Sequence, residues 1–246
     1  MTTDRAALEW AGPEFGRQYR PPLVLEQRAG MELAELFASP VYYGIGVPRG
    51  DGRNVLLVPG FMGSDGSMSV LSGWLRRVGF RPAQSGIPWN VGSLTRLLRQ
   101  VEARCEELAA RSGRITIIGH SLGGIFGRVT AVRRSDLIEE VIALGAPLVG
   151  NPRSAAHPLV RALSNLLIVE DPQREAHALA ELAQTLPPTV KLTSIYSRED
   201  AIVDYRSCID PDPRAACFEV RGTHMGLPWN AAVYRLIARE MIAVSH

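Results

Sequence analysis

The sequence has little of several features that would assign the chain to a special class of protein. Its 27 positive side chains are nearly balanced by 25 negative ones, which leaves a net charge of only +2 over 246 residues. So small a charge gives no reason to expect nucleic acid or an anionic membrane as a partner. No apolar run approaches the roughly 18 to 20 residues that span a bilayer. The residues after Met1 do not have the pattern of a signal peptide. We therefore expect a soluble protein without stable membrane insertion, and the cytoplasm as its location.

Cysteine is also scarce, and the three residues of this type are Cys105, Cys208 and Cys217. None of them has the spacing to histidines that is typical of a zinc site. A disulfide between Cys208 and Cys217 would close a short loop, whereas cytosolic thiols usually stay reduced. The sequence leaves both states open.

What the chain does have is an alternation of short apolar runs with longer helical patterns from Val41 onward. This alternation predicts a single α/β domain with a mostly parallel central sheet and helices on both faces. The predicted strands are 41–47, 55–58, 80–84, 115–118, 141–144, 192–196 and 218–220. The predicted helices are 68–78, 94–111, 122–133 and 231–244, with a further helix that starts near Pro21 and ends near Phe37.

One segment, residues 151–190, interrupts this alternation. It lies between two predicted strands, contains two helical patterns near 158–168 and 173–186, and is too long for a simple connection. We interpret it as a helical insertion at the edge of the sheet, and we call it the cap segment. If it acts as a lid, its apolar residues would line a pocket for an acyl chain. These residues are Leu159, Val160, Leu163, Leu166, Leu167, Leu179, Leu182 and Leu186. Trp89 and Trp229 could add walls to that pocket.

The most informative stretch is Gly-His-Ser-Leu-Gly-Gly at 119–124, which follows the β-branched run 115–118 and precedes a helical pattern. A strand, a Gly-x-Ser-x-Gly turn and a helix form the setting of a nucleophilic serine on a tight, strained turn. The residues on either side of this turn must be small, which explains the glycines. We therefore predict that Ser121 is a nucleophile.

A nucleophilic serine requires a base, and the base is usually oriented by a carboxylate. Among the five histidines, His224 is the best candidate because it follows the last predicted strand and precedes the last helix. Asp200 lies just beyond the strand 192–196, where the orienting acid belongs, and Asp204 is its alternative. Glu199 is a weaker third choice. The order Ser121, Asp200, His224 is that of the α/β-hydrolase arrangement.

The reaction of an ester also requires donors for the developing oxyanion. We predict that one donor is the backbone N–H of Leu122. The loop Pro-Gly-Phe-Met-Gly at 59–63 should supply the other, from Phe61 or, as the second choice, from Met62.

These segments together resemble the α/β-hydrolases, and more narrowly the compact bacterial lipases and esterases. The resemblance runs from about Val41 to the C terminus, and residues 1–40, an N-terminal extension that we expect to be partly helical, have no counterpart. It rests on the segments 59–63, 119–124, Gly-Ala-Pro at 145–147, Ser-Arg-Glu-Asp-Ala-Ile-Val at 197–203 and Gly-Thr-His-Met-Gly-Leu at 222–227. Pro59 stands where such lipases usually carry a histidine. The segment between the acid and the histidine is also shorter than is usual in the family.

The resemblance implies an α/β-hydrolase domain over 41–246 with a cap or lid insertion at about 151–190. It also implies hydrolysis of carboxylic esters, with a lipophilic acyl ester as the small-molecule substrate and an acyl-enzyme as the intermediate. No cofactor or metal is implied, and we interpret Asp210-Pro211-Asp212 as an exposed acidic turn. The same scaffold hosts thioesterases, acyltransferases and lactonases, and a non-catalytic scaffold protein is the alternative from another class. The oligomeric state and the acyl-chain length stay open.

Overall fold

The computed structural model describes residues 21–243, and residues 1–20 and 244–246 lie outside the described part. A single sheet contains six strands, which are β1 (Asn54–Val58), β2 (Arg81–Gln84), β3 (Ile115–His120), β4 (Ile138–Leu144), β5 (Lys191–Tyr196) and β6 (Ala216–Glu219). Their order across the sheet is β2-β1-β3-β4-β5-β6, and every neighbouring pair is parallel. The predicted fold class, a parallel sheet flanked by helices, is confirmed.

Eight α-helices surround this sheet in the described part of the chain. They are α1 (Ala29–Ala38), α2 (Ser69–Arg77), α3 (Leu94–Ser112), α4 (Leu122–Arg133), α5 (Pro152–Ala155), α6 (Pro158–Leu167), α7 (Pro172–Leu182) and α8 (Ala231–Ala243). The predicted helices therefore agree with the structure to within a few residues, and the predicted helix before Phe37 corresponds to a 3-10 turn at Leu23–Arg28 followed by α1.

The central strands β1, β3 and β4 are mostly apolar because both of their faces are covered. Alternate residues of a strand point to opposite faces, so Leu56 and Val58 of β1 join the core under α3 and α4. Val55 and Leu57 join a second core, which Trp74 and Tyr234 share with Leu36 of α1. The result is three layers, with the sheet in the middle.

The predicted strand at 41–47 is wrong. Pro40–Tyr43 form a 3-10 turn instead, and Gly44 and Gly46 have φ angles of 78° and 69°, which are incompatible with an extended strand. Val41 alone is buried, and its carbonyl oxygen accepts a hydrogen bond from the indole of Trp74 at 2.8 Å. In this segment, an apolar residue thus packs a turn into the core and does not form part of a strand.

Two charged residues lie in places that the sequence did not predict. Glu140 belongs to β4 and is fully buried, with Lys191 at 3.4 Å and the hydroxyl of Thr193 at 3.0 Å. Asp210 is buried and forms an ion pair with Arg128, so the prediction of an exposed acidic turn at 210–212 is wrong for this residue.

Two further observations concern features that the sequence raised. All three cysteines are free thiols, and Cys208 is fully buried. Within residues 21–243, no helix combines the length and the apolar character that crossing a membrane requires.

Candidate active site

Ser121 occupies the sharp turn between β3 and α4 and is partly exposed. Its backbone angles are φ 53° and ψ −120°, a conformation that costs a non-glycine residue of the order of 1–3 kcal/mol. The turn is held by hydrogen bonds from Ser121 N–H to the Leu144 carbonyl oxygen at 2.8 Å and from Gly124 N–H to the Ser121 carbonyl oxygen at 2.9 Å. The N terminus of α4, which favours negative charge, begins directly after it.

The glycines around Ser121 are required by close contacts between backbones. A Cβ atom on Gly119 would lie 2.3 Å from the carbonyl oxygen of Gly123, and one on Gly123 would lie 2.2 Å from the carbonyl oxygen of Val58. A Cβ on Gly60 would lie 3.1 Å from the Cβ of Ser121. The strand β1, the loop after it and the turn at Ser121 therefore leave no room for a side chain at Gly119 or Gly123 and little room at Gly60.

His224 and Asp200 form a buried pair at the same edge of the sheet. The distance from His224 Nδ1 to Asp200 Oδ2 is 2.6 Å, and the two residues are 2% and 3% exposed. The other carboxylate oxygen of Asp200 accepts hydrogen bonds from Ile202 N–H at 2.8 Å and from Val203 N–H at 2.7 Å. These bonds fix the carboxylate in the orientation that faces the imidazole.

The alternative acids face other partners. Asp204 is buried, but its two oxygens lie 3.0 Å and 2.6 Å from the guanidinium of Arg206. Glu199 forms a surface ion pair with Arg28 at 3.4 Å. Of the three carboxylates considered from the sequence, the structure brings Asp200 to His224.

The charges around His224 favour its protonated form. Burial is the largest effect and lowers its pKa, but the charge of Asp200, the hydrogen bond to Asp200 and the charge of Glu26 together raise the pKa above its ordinary value. The imidazole of His120 lies 4.8 Å from that of His224, and its Nε2 donates to the His224 carbonyl oxygen at 3.0 Å. Burial and then the charge of His224 lower the pKa of His120 to about 3, so His120 is a neutral support for His224.

In the loop after β1, the backbone N–H of Met62 donates a hydrogen bond within the described residues, whereas that of Phe61 does not. Met62 N–H donates to the Asn90 carbonyl oxygen at 3.0 Å, whereas no acceptor within residues 21–243 takes the N–H of Phe61 or of Leu122. Asn90 is fully buried, and its side-chain amide donates to the Pro59 carbonyl oxygen at 2.7 Å. Asn90 thus holds the loop in place, a role that the sequence did not reveal because it depends on two backbone carbonyl groups.

A cavity of about 610 Å³ opens beside Ser121, and Phe61 and Leu122 are part of its wall. Most of its remaining surface is apolar and comes from α3, α4 and the cap segment, at residues Leu94, Leu98, Ile125, Phe126, Val129, Val160, Ile168, Leu179 and Leu182. Charged side chains such as Arg99 and Arg174 also line the cavity, and both are exposed to solvent. The site therefore combines the hydroxyl group of Ser121 with a largely apolar pocket.

The cap segment contributes only part of its apolar residues to this cavity. Val160, Leu179 and Leu182 line it, while Leu159 and Leu166 are 52% and 74% exposed. The segment is anchored to the loop that carries Asp200 by the hydrogen bond from His157 N–H to the Ile202 carbonyl oxygen at 2.6 Å. Neither Trp89 nor Trp229 belongs to the wall of the cavity.

The described part of the chain contains no group of three or more His, Cys, Asp or Glu side chains arranged to hold a metal ion. Glu26 and Glu32 are not among the site residues predicted from the sequence, yet their carboxylates accept hydrogen bonds from the backbone of the loop that carries His224. No signal in the sequence pointed to them, because their partners are backbone N–H groups far along the chain.

No protein-family model and no curated protein sequence matches this chain. Several solved structures do match it. The monoacylglycerol lipase of Paleococcus ferrophilus is 17% identical with a TM-score of 0.55, and the match covers 79% of this chain and 96% of that one. A structure from the work on LipS and LipT, two metagenome-derived lipolytic enzymes, is 17% identical with a TM-score of 0.57 and coverages of 81% and 96%. Alpha/beta hydrolase domain-containing protein 10 from mouse is 13% identical with a TM-score of 0.53 and coverages of 80% and 91%. At these identities the similarity is one of fold.

Proposed function

We propose that this chain, which has the α/β-hydrolase fold, is a serine hydrolase that cleaves lipophilic carboxylic esters through an acyl-enzyme intermediate. The observation that carries the proposal is the strained turn of Ser121 (φ 53°) in the wall of a largely apolar cavity. The buried His224–Asp200 pair lies at the same sheet edge, with 2.6 Å between Nδ1 and Oδ2. A serine placed in this way needs a base and a set of oxyanion donors, and the surrounding loops carry candidates for both.

The proposed reaction has two halves. In the first, Ser121 Oγ attacks the ester carbonyl carbon while His224 Nε2 takes the hydroxyl proton, and His224 then gives this proton to the departing alcohol. In the second, water attacks the acyl-enzyme, His224 takes a proton from the water and returns it to Ser121, and the carboxylic acid leaves. Asp200 keeps the proton of the neutral imidazole on Nδ1, so that Nε2 is free to accept.

The tetrahedral intermediates of both halves carry a negative oxygen. We assign its donors to the backbone N–H groups of Phe61 and Leu122, which have no other acceptor in the described residues and border the cavity. Removal of one such donor in an enzyme of this type costs about 10² to 10³ in kcat.

The class of substrate is inferred from the cavity. Most of the surface that its wall exposes is apolar, which favours an acyl chain over a polar group, and its volume of about 610 Å³ is that of a small-molecule pocket. The cap segment forms one side of this pocket, and we propose that it covers the acyl chain.

A series of p-nitrophenyl esters from acetate to palmitate tests the proposal, with wild type compared with Ser121→Ala. We expect activity that increases beyond acetate and falls by about 10⁴ to 10⁶ in kcat for the variant. Equal hydrolysis by both proteins would contradict a role for Ser121. Hydrolysis restricted to thioesters or lactones would keep the nucleophile and change the substrate.

A further inference from the structure

Glu26 connects the two loops that carry Asp200 and His224. It belongs to the 3-10 turn Leu23–Arg28, far from both loops in the sequence. One carboxylate oxygen accepts hydrogen bonds from Ala201 N–H at 2.9 Å and from His224 N–H at 3.2 Å. The other accepts from Met225 N–H at 2.9 Å. Three backbone donors from the two loops thus converge on one carboxylate.

No arginine or lysine in the described part of the chain forms an ion pair with Glu26. The neighbouring Arg28 pairs with Glu199. Hydrogen bonds between a carboxylate and neutral N–H groups are stronger than those between two neutral groups. Among residues 21–243, the hydrogen-bond partners of the Glu26 carboxylate are thus the backbone N–H groups of the loops that carry Asp200 and His224.

A second glutamate from the same N-terminal region supports this loop. Glu32 of α1 is buried, and one of its oxygens accepts a hydrogen bond from Thr223 N–H at 2.8 Å. Close packing against Glu32 also explains Gly226, where a Cβ atom would lie 2.1 Å from the carboxylate. The backbone from Thr223 to Met225 is thus held from one side by two carboxylates.

We propose that Glu26 is a positioning residue for the hydrolysis proposed above: its carboxylate fixes the backbone of His224 relative to that of the Asp200 loop. The inference rests on the proposed function, because it assigns His224 as the base. A displacement of about 1 Å between catalytic groups costs on the order of 10² in rate. Deletion of the carboxylate should therefore affect turnover although Glu26 touches no reacting atom.

The charge of Glu26 has a second effect, which separates positioning from general stability. Within residues 21–243, the charged or titratable groups that face His224 are Asp200, Glu26 and His120, and His120 is neutral at neutral pH because burial and then the charge of His224 lower its pKa to about 3. Both carboxylates favour imidazolium. Loss of the Glu26 charge should therefore lower the pKa of His224, and the acid limb of the pH–rate profile should move to lower pH.

The test compares wild type with Glu26→Ala, Glu26→Gln and Glu26→Asp, and with Glu35→Gln as the matched control. Glu35 lies on α1 and is exposed. Values of kcat and KM are measured from pH 5 to 9 on the best p-nitrophenyl ester. Circular dichroism at increasing temperature shows whether each variant is folded, and Glu26→Gln decides the case if Glu26→Ala does not fold.

We expect kcat to fall by about 10² in Glu26→Ala with KM nearly unchanged, while Glu35→Gln behaves as wild type. In Glu26→Gln the acid limb should move to lower pH, whereas Glu26→Asp, which keeps the charge, should retain more of the wild-type pH profile. Wild-type kcat and an unmoved acid limb in folded Glu26→Gln would overturn the proposal.

An NMR titration of the His224 imidazole distinguishes failure of this inference from failure of the proposed function. The signal is assigned with a His224→Gln variant, and its titration needs no substrate. A lower pKa of His224 in Glu26→Gln than in wild type supports the contact even if no ester is hydrolysed. An identical pKa of His224 in the two proteins would overturn the proposed role of Glu26 even if the wild type is an active esterase.

Discussion

The substitution Asp200→Asn is a specific test of how His224 is oriented, because it replaces one carboxylate oxygen with an NH₂ group and keeps the size of the side chain. The asparagine oxygen can still accept from the N–H groups of Ile202 and Val203, which lie 2.8 Å and 2.7 Å from Asp200 Oδ1. These two donors therefore direct the new NH₂ group toward His224 Nδ1, at the place where Asp200 Oδ2 lies 2.6 Å away. With a donor at that place, Nδ1 must be the acceptor of the hydrogen bond and can carry no proton.

The neutral imidazole must then carry its proton on Nε2, the atom that has to accept the proton of Ser121. A wrong tautomer of this kind in a serine hydrolase costs about 10⁴ in kcat. At 1.36 kcal/mol for each tenfold change, this corresponds to about 5.4 kcal/mol of transition-state stabilisation. KM should change much less, because the carboxylate does not contact the substrate.

The assay is steady-state hydrolysis of the best p-nitrophenyl ester at pH 8, with Asp204→Asn as the matched control. Asp204 is also buried beyond the end of β5, but its carboxylate faces Arg206. We expect kcat of the Asp204→Asn variant to stay within about threefold of wild type, although loss of the charge should lower the free energy of unfolding by about 1–3 kcal/mol. A folded Asp200→Asn variant within tenfold of wild type, or a collapse of activity in Asp204→Asn alone, would refute this reasoning.

Three further predictions concern pH, the cavity and the turn. Activity should fall as the pH drops through the pKa of His224, with a midpoint above the ordinary value of about 6.5 because that pKa is raised; a rate that is flat from pH 5 to 8 would contradict this. Val160→Trp should fill part of the cavity and move the chain-length optimum in the ester series to shorter acyl chains, and an unchanged optimum would place the acyl chain elsewhere. Gly123→Ala should lower the free energy of unfolding by about 3 kcal/mol or more, because its Cβ would lie 2.2 Å from a backbone oxygen. Gly73→Ala, whose Cβ meets nothing within 4 Å, should instead raise it by about 0.5 kcal/mol in denaturant unfolding.

The parts of the molecule that follow local rules could be read from the sequence. The apolar run 115–118 and the Gly-x-Ser-x-Gly pattern after it correspond to β3, the strained turn and α4, because strand, turn and helix propensities agree there. The placement of His224 and Asp200 at one sheet edge follows from the rule that parallel strands end at the same edge.

The parts of the molecule that depend on tertiary contacts could not be predicted from the sequence. Segment 41–47 has a strand-like composition, but the packing of Val41 and the positive φ angles of Gly44 and Gly46 make it a turn. Glu140 has the sequence character of a surface residue, and only the neighbouring strand supplies Lys191 and Thr193 to it. Glu26 binds backbone N–H groups, which every residue except proline possesses, so no residue type marks its partners.

The most direct test of the central claim is the reaction of the protein with a fluorophosphonate, followed by mass spectrometry of the labelled peptide. The account predicts a single covalent adduct on Ser121, no adduct in Ser121→Ala, and much slower labelling in His224→Gln than in wild type. Absence of labelling in folded wild-type protein, or an adduct on another residue that persists in Ser121→Ala, would contradict the assignment of Ser121 as the nucleophile.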